Sequence, residues 1–361
     1  MTPGRSREFS FVTFSFAAVF MPGKLPAILS CMAEEAVQTD ARLGRALVAL
    51  QEWRKLTSEE WVAAAGVPAR DAWRLADELR KLGADVKGSE SEGWWLVGDA
   101  DLALPEVLQP HIAETIFAGG VRHFASIGST SASAMRAGAE SAAAGAVWLA
   151  EEQTAGKGRA GHTWASDPRD GIYCSVLLRP KLAPVDAIIF SLAAGLAVVK
   201  AVHETTGLWG DLRWPNDVLM GGKKFCGILT ELNSEFSRVR FVVVGMGLNV
   251  NNESFPPELQ PIATSLRIEA GRKFSRVELV AALLRALHRE QAALQSGVGA
   301  ARDSILRRFE EHSSYCRNTA VVVEEEGGYE GLTRGLDERG FLQVETPSGV
   351  RTVMSGGVRK R

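Results

Sequence analysis

The chain has 361 residues, 46% of them apolar and 23% charged, and a formal net charge of −2. Such a length and composition predict two or three soluble domains with ample material for a core. The near-neutral balance excludes a global attraction to nucleic acid or to an anionic membrane, so any nucleic-acid contact has to come from a local patch. The cysteines Cys31, Cys174, Cys226 and Cys316 are far apart and form no C-x-x-C pair. That spacing argues against a zinc site or a disulfide framework and fits a reducing cytoplasm.

In chain order, residues 9–20 form an apolar run behind Arg5 and Arg7 that loosely imitates an export signal. Met21-Pro22-Gly23-Lys24 interrupts it, no clear cleavage site follows, and the run is too short to span a bilayer. Residues 1–38 therefore read as a disordered extension or a start assigned too early, with Met32 as the alternative start. No other stretch reads as a membrane span.

Residues 39–100 read as helix, turn, helix and wing, the winged helix-turn-helix pattern. Helices are predicted over 41–56, over 57–65 behind the capping box Thr57-Ser58-Glu59-Glu60, and over 69–82. Gly66-Val67-Pro68 makes the turn, and Gly83 stops the last helix. Trp73, Leu75 or Ala76, and Leu79 are assigned to its buried face. Residues 86–97 alternate around Ser91-Glu92-Gly93 as a hairpin.

Residues 112–312 read as an α/β (α+β) domain with a mixed sheet. Strands are predicted over 121–127, 146–151, 171–179 and 240–250, with a hairpin of 218–220 and 224–232 turning at Gly221-Gly222. Helices are predicted over 130–144, 185–205, 275–295 and 300–311. Residues 316–361 alternate apolar and polar between closely spaced glycines, which predicts a small β-barrel.

Two polar islands carry the chemistry. The first is Gln153-Thr154-Ala155-Gly156-Lys157-Gly158-Arg159-Ala160-Gly161-His162-Thr163-Trp164, rich in glycine and base and free of acid. It follows neither the P-loop nor the dinucleotide pattern. Either it clamps an anion with main-chain N–H groups and cations, or it is a solvated surface loop. The second island is Arg213-Trp214-Pro215-Asn216-Asp217, followed by Lys224. Proline in an extended stretch would expose Asn216 and Asp217 at a strand end, whereas Pro-Asn-Asp is also turn chemistry. Lys224 is either a strand-edge charge or a cation fixed in a pocket. His162 reads as a solvated loop residue.

Taken jointly, Gly128-Ser129-Thr130, the loop 153–164, Arg213 to Asp217, Lys224-Phe225-Cys226-Gly227-Ile228-Leu229 and Gly245-Met246-Gly247-Leu248-Asn249 resemble the central domain of biotin protein ligases, over about 120 residues. The flanking winged helix and the C-terminal SH3-like barrel, with Val353-Met354-Ser355-Gly356-Gly357-Val358 near its end, match that family's three-part layout. The resemblance implies that biotin and MgATP give biotinyl-5′-AMP and pyrophosphate, and that a lysine of the biotin carboxyl carrier protein then takes the biotinyl group.

It also implies roles. Ser129, Thr130, Ser131 and Gln153 would hold the ureido end of biotin, and Lys157, Gly158 and Arg159 would close over carboxylate and phosphate. Lys224 would touch the reacting carboxylate and the α-phosphate, with Gly227 leaving room for the ligand. Trp164 would cover adenine, Asn249 would contact the nucleotide, and Asn216 would lie near phosphate. Lys224, Arg159 and Asp217 are the candidate catalytic residues, Asp217 to orient or deprotonate the incoming lysine. No residue is assigned to a metal. Lys157, Ala160, Ser131 and His162 depart from the enterobacterial pattern, which has three arginines and an asparagine there, so this clamp is less basic.

Further implied partners are operator DNA and a second copy of the chain; no membrane partner is expected. The third predicted helix carries Arg70, Arg74, Arg80 and Lys81 against Asp71, Asp77 and Glu78, a weak balance for phosphate contact. The nearest other enzyme reading is lipoate or octanoyl transfer. The non-enzyme reading is a ligand-sensing transcription regulator, against which Lys224 and the loop cations argue.

Overall fold

The computed structural model describes residues 11–13, 36–235, 238–325 and 327–361. Most of the N-terminal apolar run, with Cys31 and Met32, lies outside the described residues. Strand β1 (Phe11–Thr13) pairs antiparallel with residues 231–233, which corrects the expected disorder of 1–38 at that point.

The N-terminal unit begins with α1 (Ala41–Glu52), whose first turn is capped by Asp40. It ends a turn earlier than expected, where Trp53 becomes extended. The capping box closes reciprocally at the head of α2 (Ser58–Ala65), which stops at Gly66 with φ +71°. A single 3-10 turn precedes α3 (Ala72–Leu82), and β2 (Val86–Ser89) and β3 (Gly93–Leu96) form the expected hairpin. Leu47, Trp61, Leu75, Leu79 and Trp94 fill this unit's core. Trp73 does not join them and is 54% exposed. At about 100° per residue it falls outside the arc of Ala72, Leu75, Ala76, Leu79 and Leu82. Helix α4 (Pro105–Ile112), which no sequence signal announced, packs Val107 into this core and Leu108 and Ile112 into the next.

The central layer runs β4 (Val121–Phe124), α5 (Thr130–Ala139), β5 (Val147–Ala150), β6 (Gly171–Leu178), α6 (Ile188–Thr206), β7 (Asp211–Arg213), β8 (Asp217–Met220), β9 (Lys223–Glu235) and β10 (Arg238–Asn249). Helices α7 (Leu266–Ala270), α8 (Arg276–Ser296) and α9 (Val298–Glu311) follow. The sheet order is β4-β5-β6-β10-β9-β8-β7. Only β4 and β5 pair in parallel along that path, so the sheet is mixed, as expected. By length and apolarity the segment Pro184–Thr206 could cross a membrane, but 83% of its apolar window is buried against this sheet and α8. It is a core helix, hydrophobic all round because it is enclosed all round.

Strands β11 (Arg317–Val323), β12 (Tyr329–Leu336), β13 (Leu342–Thr346), β14 (Gly349–Val353) and β15 (Val358–Lys360) form an antiparallel sheet in the order β14-β13-β12-β11-β15. Its Val321, Phe341 and Val353 share one continuous core with α6 and α9. The Trp214 indole donates from Nε1 to the Gly340 carbonyl at 2.9 Å, fastening the two units together.

A buried ionic join sits where α8 begins. Arg276 donates to Glu151 Oε2 at 2.7 Å and to Asp101 Oδ2 at 3.0 Å, while His123 Nε2 meets Glu151 Oε1 at 2.9 Å. Burial opposes ionisation of Glu151, yet the His123 hydrogen bond and the Arg276 charge outweigh it and hold the carboxyl below its ordinary value of 4.5. A depressed folded pKa adds stability that is full above the unfolded value and lost as pH falls through the folded one. Wild type should therefore exceed Glu151→Gln in unfolding free energy most at neutral pH, with the gap closing below about pH 4. Urea midpoints of both proteins across that range check this; a gap that widens on acidification would contradict it.

Candidate functional site

The cleft forms where β9 and β10 expose bare backbone. Gly227 pairs with Gly247 and Leu229 with Gly245. A Cβ at Gly247 would lie 2.5 Å from the Trp164 ring, and one at Gly227 2.8 Å from it and 2.9 Å from Lys224 Cε. A Cβ at Gly245 would collide with Ser131 Oγ. These glycines are thus a floor that no side chain may cover.

One wall is a chain of neutral polar groups. Gln153 Oε1 accepts from Thr130 N at 2.9 Å and from Thr130 Oγ1 at 3.0 Å, and Gln153 Nε2 donates to Ser166 Oγ at 3.0 Å. Ser175 Oγ links Thr130 at 2.8 Å and Ser131 at 3.0 Å. Ser166 and Ser175 escaped sequence reasoning; the available signal was a lone serine inside the apolar strand Ile172-Tyr173-Cys174-Ser175-Val176.

The opposite wall is charged. Lys224 Nζ lies 2.6 Å from Asp217 Oδ1, and Arg213 Nη2 lies 2.6 Å from Asp217 Oδ2. Burial opposes ionisation of Asp217, but the two cations outweigh it and keep the carboxyl below the usual range. The Lys224 ammonium also sits 5.3 Å from the Trp164 ring centroid, within cation–π range. Residues 214–216 form a turn with a cis Trp214–Pro215 bond between β7 and β8, the turn alternative of the two readings, and Asp217 opens β8. Asn216 is half-buried and the Asp217 side chain is 14% exposed.

The glycine loop reaches this wall. Its hairpin tip is closed by Gly158 N to His162 O at 2.7 Å and turns through Ala160 and Gly161 at positive φ. Arg159 Nη1 donates to Asn216 Oδ1 at 2.7 Å, and Nη2 to the Gly356 carbonyl at 3.4 Å. Burial pushes the Arg159 pKa down, against the pull of Asp217. Lys157 and His162 are exposed.

Thr130, Ser131, Gln153, Lys157, Gly158, Arg159, Trp164, Asn216, Lys224 and Gly227 therefore line one cleft, although the two islands lie some 60 residues apart. Three expected site residues do not line it. Ser129 caps α5, accepting from Ala132 N at 3.4 Å. Asp217 stands behind Lys224. Asn249 is 8% exposed and donates to the Thr264 carbonyl at 3.0 Å, tying down the segment after β10. Free space in the cleft is about 40 Å³, against the roughly 300–1,000 Å³ of small-molecule pockets. The Trp164 ring approaches Gly227 and Gly247 so closely that it occupies the space a Cβ would need there. A second, apolar hollow lies behind Arg159 and Asn216, walled by Ala187, Ile188, Trp214 and Pro215.

Such a site offers cations and amides to an anion, and hydroxyls and a carboxamide to a neutral polar ring. The biotin/lipoate A/B protein ligase family matches residues 125–249, and the biotin protein ligase C-terminal domain matches residues 318–361. The bifunctional ligase/repressor BirA of Bacillus subtilis is 29% identical over 304 residues, covering 82% of this chain and 90% of that protein; that of Bacillus spizizenii is 30% identical with the same coverage. The biotin–[acetyl-CoA-carboxylase] ligase of Mycobacterium tuberculosis is 35% identical over 241 residues, 65% of this chain and 86% of that one. Among solved structures, the Aquifex aeolicus biotin protein ligase in complex with biotin and ATP superposes with a TM-score of 0.57 at 28% identity, over 67% of this chain and 98% of its own. Sequence, fold and cleft thus agree, and the chain belongs to the biotin protein ligase family.

Proposed function

We propose that this protein activates biotin with ATP and transfers it to a lysine of a biotin carboxyl carrier protein. A biotin carboxylate oxygen bonds to the α-phosphorus, and the bond to pyrophosphate breaks. The acceptor amine then attacks the acyl carbon; an amide forms, AMP leaves, and the amine's proton passes to solvent. The observation that carries this reading is the convergence of Lys224, Lys157 and Arg159 with Gln153 on one glycine-floored cleft. Two anions must meet in the first step, and fixed cations and amides offset their repulsion. No nucleophile of the enzyme is needed, because the mixed anhydride already carries a good leaving group.

In this reading Thr130, Ser131 and Gln153 hold the ureido ring, with Ser129 acting through the helix it caps. Lys157, Gly158 and Arg159 close over carboxylate and phosphate, and Gly227 admits the ligand. Trp164 and Asn216 face the nucleotide, with Asn249 behind them as a support. Asp217 is reassigned: a carboxylate clamped by two cations is a poor base, and it serves to aim Lys224. Magnesium enters with ATP as part of the nucleotide substrate. The division into 39–100, 112–312 and 316–361, a winged helix, an SH3-like barrel, a cytoplasmic location and a homodimer through a sheet edge belong to the same proposal.

Incubation with biotin, MgATP and a carrier domain should yield amide-linked biotin, and lipoate in its place should not. Carrier labelled by lipoate alone would overturn the reading. Loop 153–164 should become resistant to protease once biotin and ATP are both present, as closure excludes water. Equal cleavage with and without them would count against closure.

A second role, as a DNA-binding repressor, is favoured by the Bacillus relatives' bifunctional name and by Trp73, exposed beside Arg74 on α3. Against it, Lys81 is paired with Asp77 at 2.7 Å. A gel shift on DNA upstream of a biotin operon, at stated salt, decides the matter.

A further inference from the structure

The apolar hollow behind Arg159 and Asn216 has about 40 Å³ of free space, as much as the cleft, and is partly open to solvent. That is room for roughly three or four water-sized groups, hence for a narrow chain and not for a ring. Ile188 at the head of α6, with Trp214 and Pro215, makes its walls apolar. Ser191 Oγ, also in the wall, donates to the Pro215 carbonyl at 2.9 Å. The Thr230 hydroxyl lines the hollow too and is buried without a hydrogen-bond partner. Such a lining suits an aliphatic chain that carries one hydrogen-bonding group.

Hollow and cleft share a partition, since Arg159, Asn216 and Ile228 line both. Asn216 Nδ2 donates to the Ile228 carbonyl at 2.9 Å, and Asn216 Oδ1 accepts from Arg159 Nη1 at 2.7 Å. The second bond is one that a bound anion can displace, because a charged acceptor holds a guanidinium more strongly than a carboxamide does. On the cleft side the approach is taken by the glycine loop and by Trp164, whose ring lies against Gly227 and Gly247. The hollow is thus a second way to the wall where Lys224 and Arg159 stand. Among the described residues that line it, Arg159 alone is charged. Asp217, behind Asn216, is held by Lys224 and Arg213, and Asp186, next to Ala187, lies 3.0 Å from Arg302. Apolar walls and a like charge both disfavour an ammonium, so an amine that enters leaves a proton in water.

We propose that this hollow admits the acceptor lysine: Ile188, Trp214 and Pro215 pack its aliphatic stem, Thr230 Oγ1 gives the amine a hydrogen-bond partner, and the amine reaches the acyl carbon uncharged, past Asn216. The proposal rests on the transfer of biotin set out above. It supplies what Asp217, clamped by two cations, does not, a free-base nucleophile. The ammonium gives one proton to water, and the amine nitrogen bonds to the acyl carbon. The bond from that carbon to the phosphate oxygen breaks, AMP leaves with the electron pair, and a second amine proton passes to solvent.

The two half-reactions of the full chain, measured separately, test this. Thr230→Leu fills the hollow and should slow single-turnover transfer from biotinyl adenylate to a carrier domain roughly 10–100-fold. First-turnover pyrophosphate release without carrier should stay within about twofold of wild type. Hydroxylamine, small enough to need no hollow, should take the biotinyl group from both proteins at equal rates. Ser191→Thr adds one methyl and keeps the hydroxyl; a transfer loss of roughly tenfold is expected, and it replaces the leucine variant should that one not fold. Thr230→Val, which loses only the hydroxyl, should slow transfer roughly two- to tenfold, with Thr230→Ser recovering most of it. Equal losses with carrier and with hydroxylamine would overturn the assignment, as would filled variants that transfer to the carrier like wild type. Wild type that forms no adenylate from biotin would instead overturn the reading of the cleft.

Discussion

Lys224→Ala should lower the rate of adenylate formation by about 10²–10³-fold, the usual effect of deleting one preorganised donor from a site where charge develops. Two consequences of the geometry push in the same direction. The ammonium is lost from the cleft wall, and Asp217, which it contacts at 2.6 Å, is left with Arg213 as its remaining close cation. Lys224, Arg213 and Asp217 together carry a formal charge of +1, which falls to zero without Lys224, so the wall's attraction for carboxylate and phosphate weakens. Lys224→Arg keeps the charge on a bulkier, planar head, so an intermediate rate is expected. Pyrophosphate release under saturating biotin and ATP gives the measurement. A rate within a factor of two of wild type for the alanine variant would remove Lys224 from the chemistry.

Trp214→Ala should cost about 3–5 kcal/mol of stability, the range for truncating a large buried aromatic. Trp214 is 2% exposed, packs in the core shared by α6 and β9, and donates its indole N–H to the Gly340 carbonyl. The substitution opens a cavity next to Asn216 and cuts a tie to the C-terminal sheet. Trp214→Phe keeps most of the volume and loses the hydrogen bond, so roughly 0.5–1.5 kcal/mol is expected for that part. Urea unfolding of the three proteins separates the two effects. Equal midpoints for the alanine and phenylalanine variants would show that packing at this position matters less than its burial implies.

Local chemistry was legible in the sequence wherever a signal sat within one turn of the chain. The Thr57–Glu60 capping box, the stop at Gly83 and the Gly221-Gly222 hairpin all needed only neighbours. The cleft was legible because its two islands are compositionally odd, which is rare outside sites. What stayed hidden depends on distance. Trp73 looked like core because aromatics usually are, and only the arc of α3 that meets α1 turns it outward. Asn249 and Ser129 sit in the right motifs but one layer behind the cleft. The Arg276–Glu151–His123 join unites residues up to 153 positions apart in sequence and has no local pattern at all.

The glycine floor limits how the substrate range of this protein can be altered. A surface made of main chain offers nothing to exchange: any new side chain at Gly227, Gly245 or Gly247 collides with Trp164, Lys224 or Ser131. Redesign towards longer or wider acids must therefore work from the side chains that line the cleft, such as Ser131, Leu229 or Met246, or else rebuild the pairing of β9 with β10 itself.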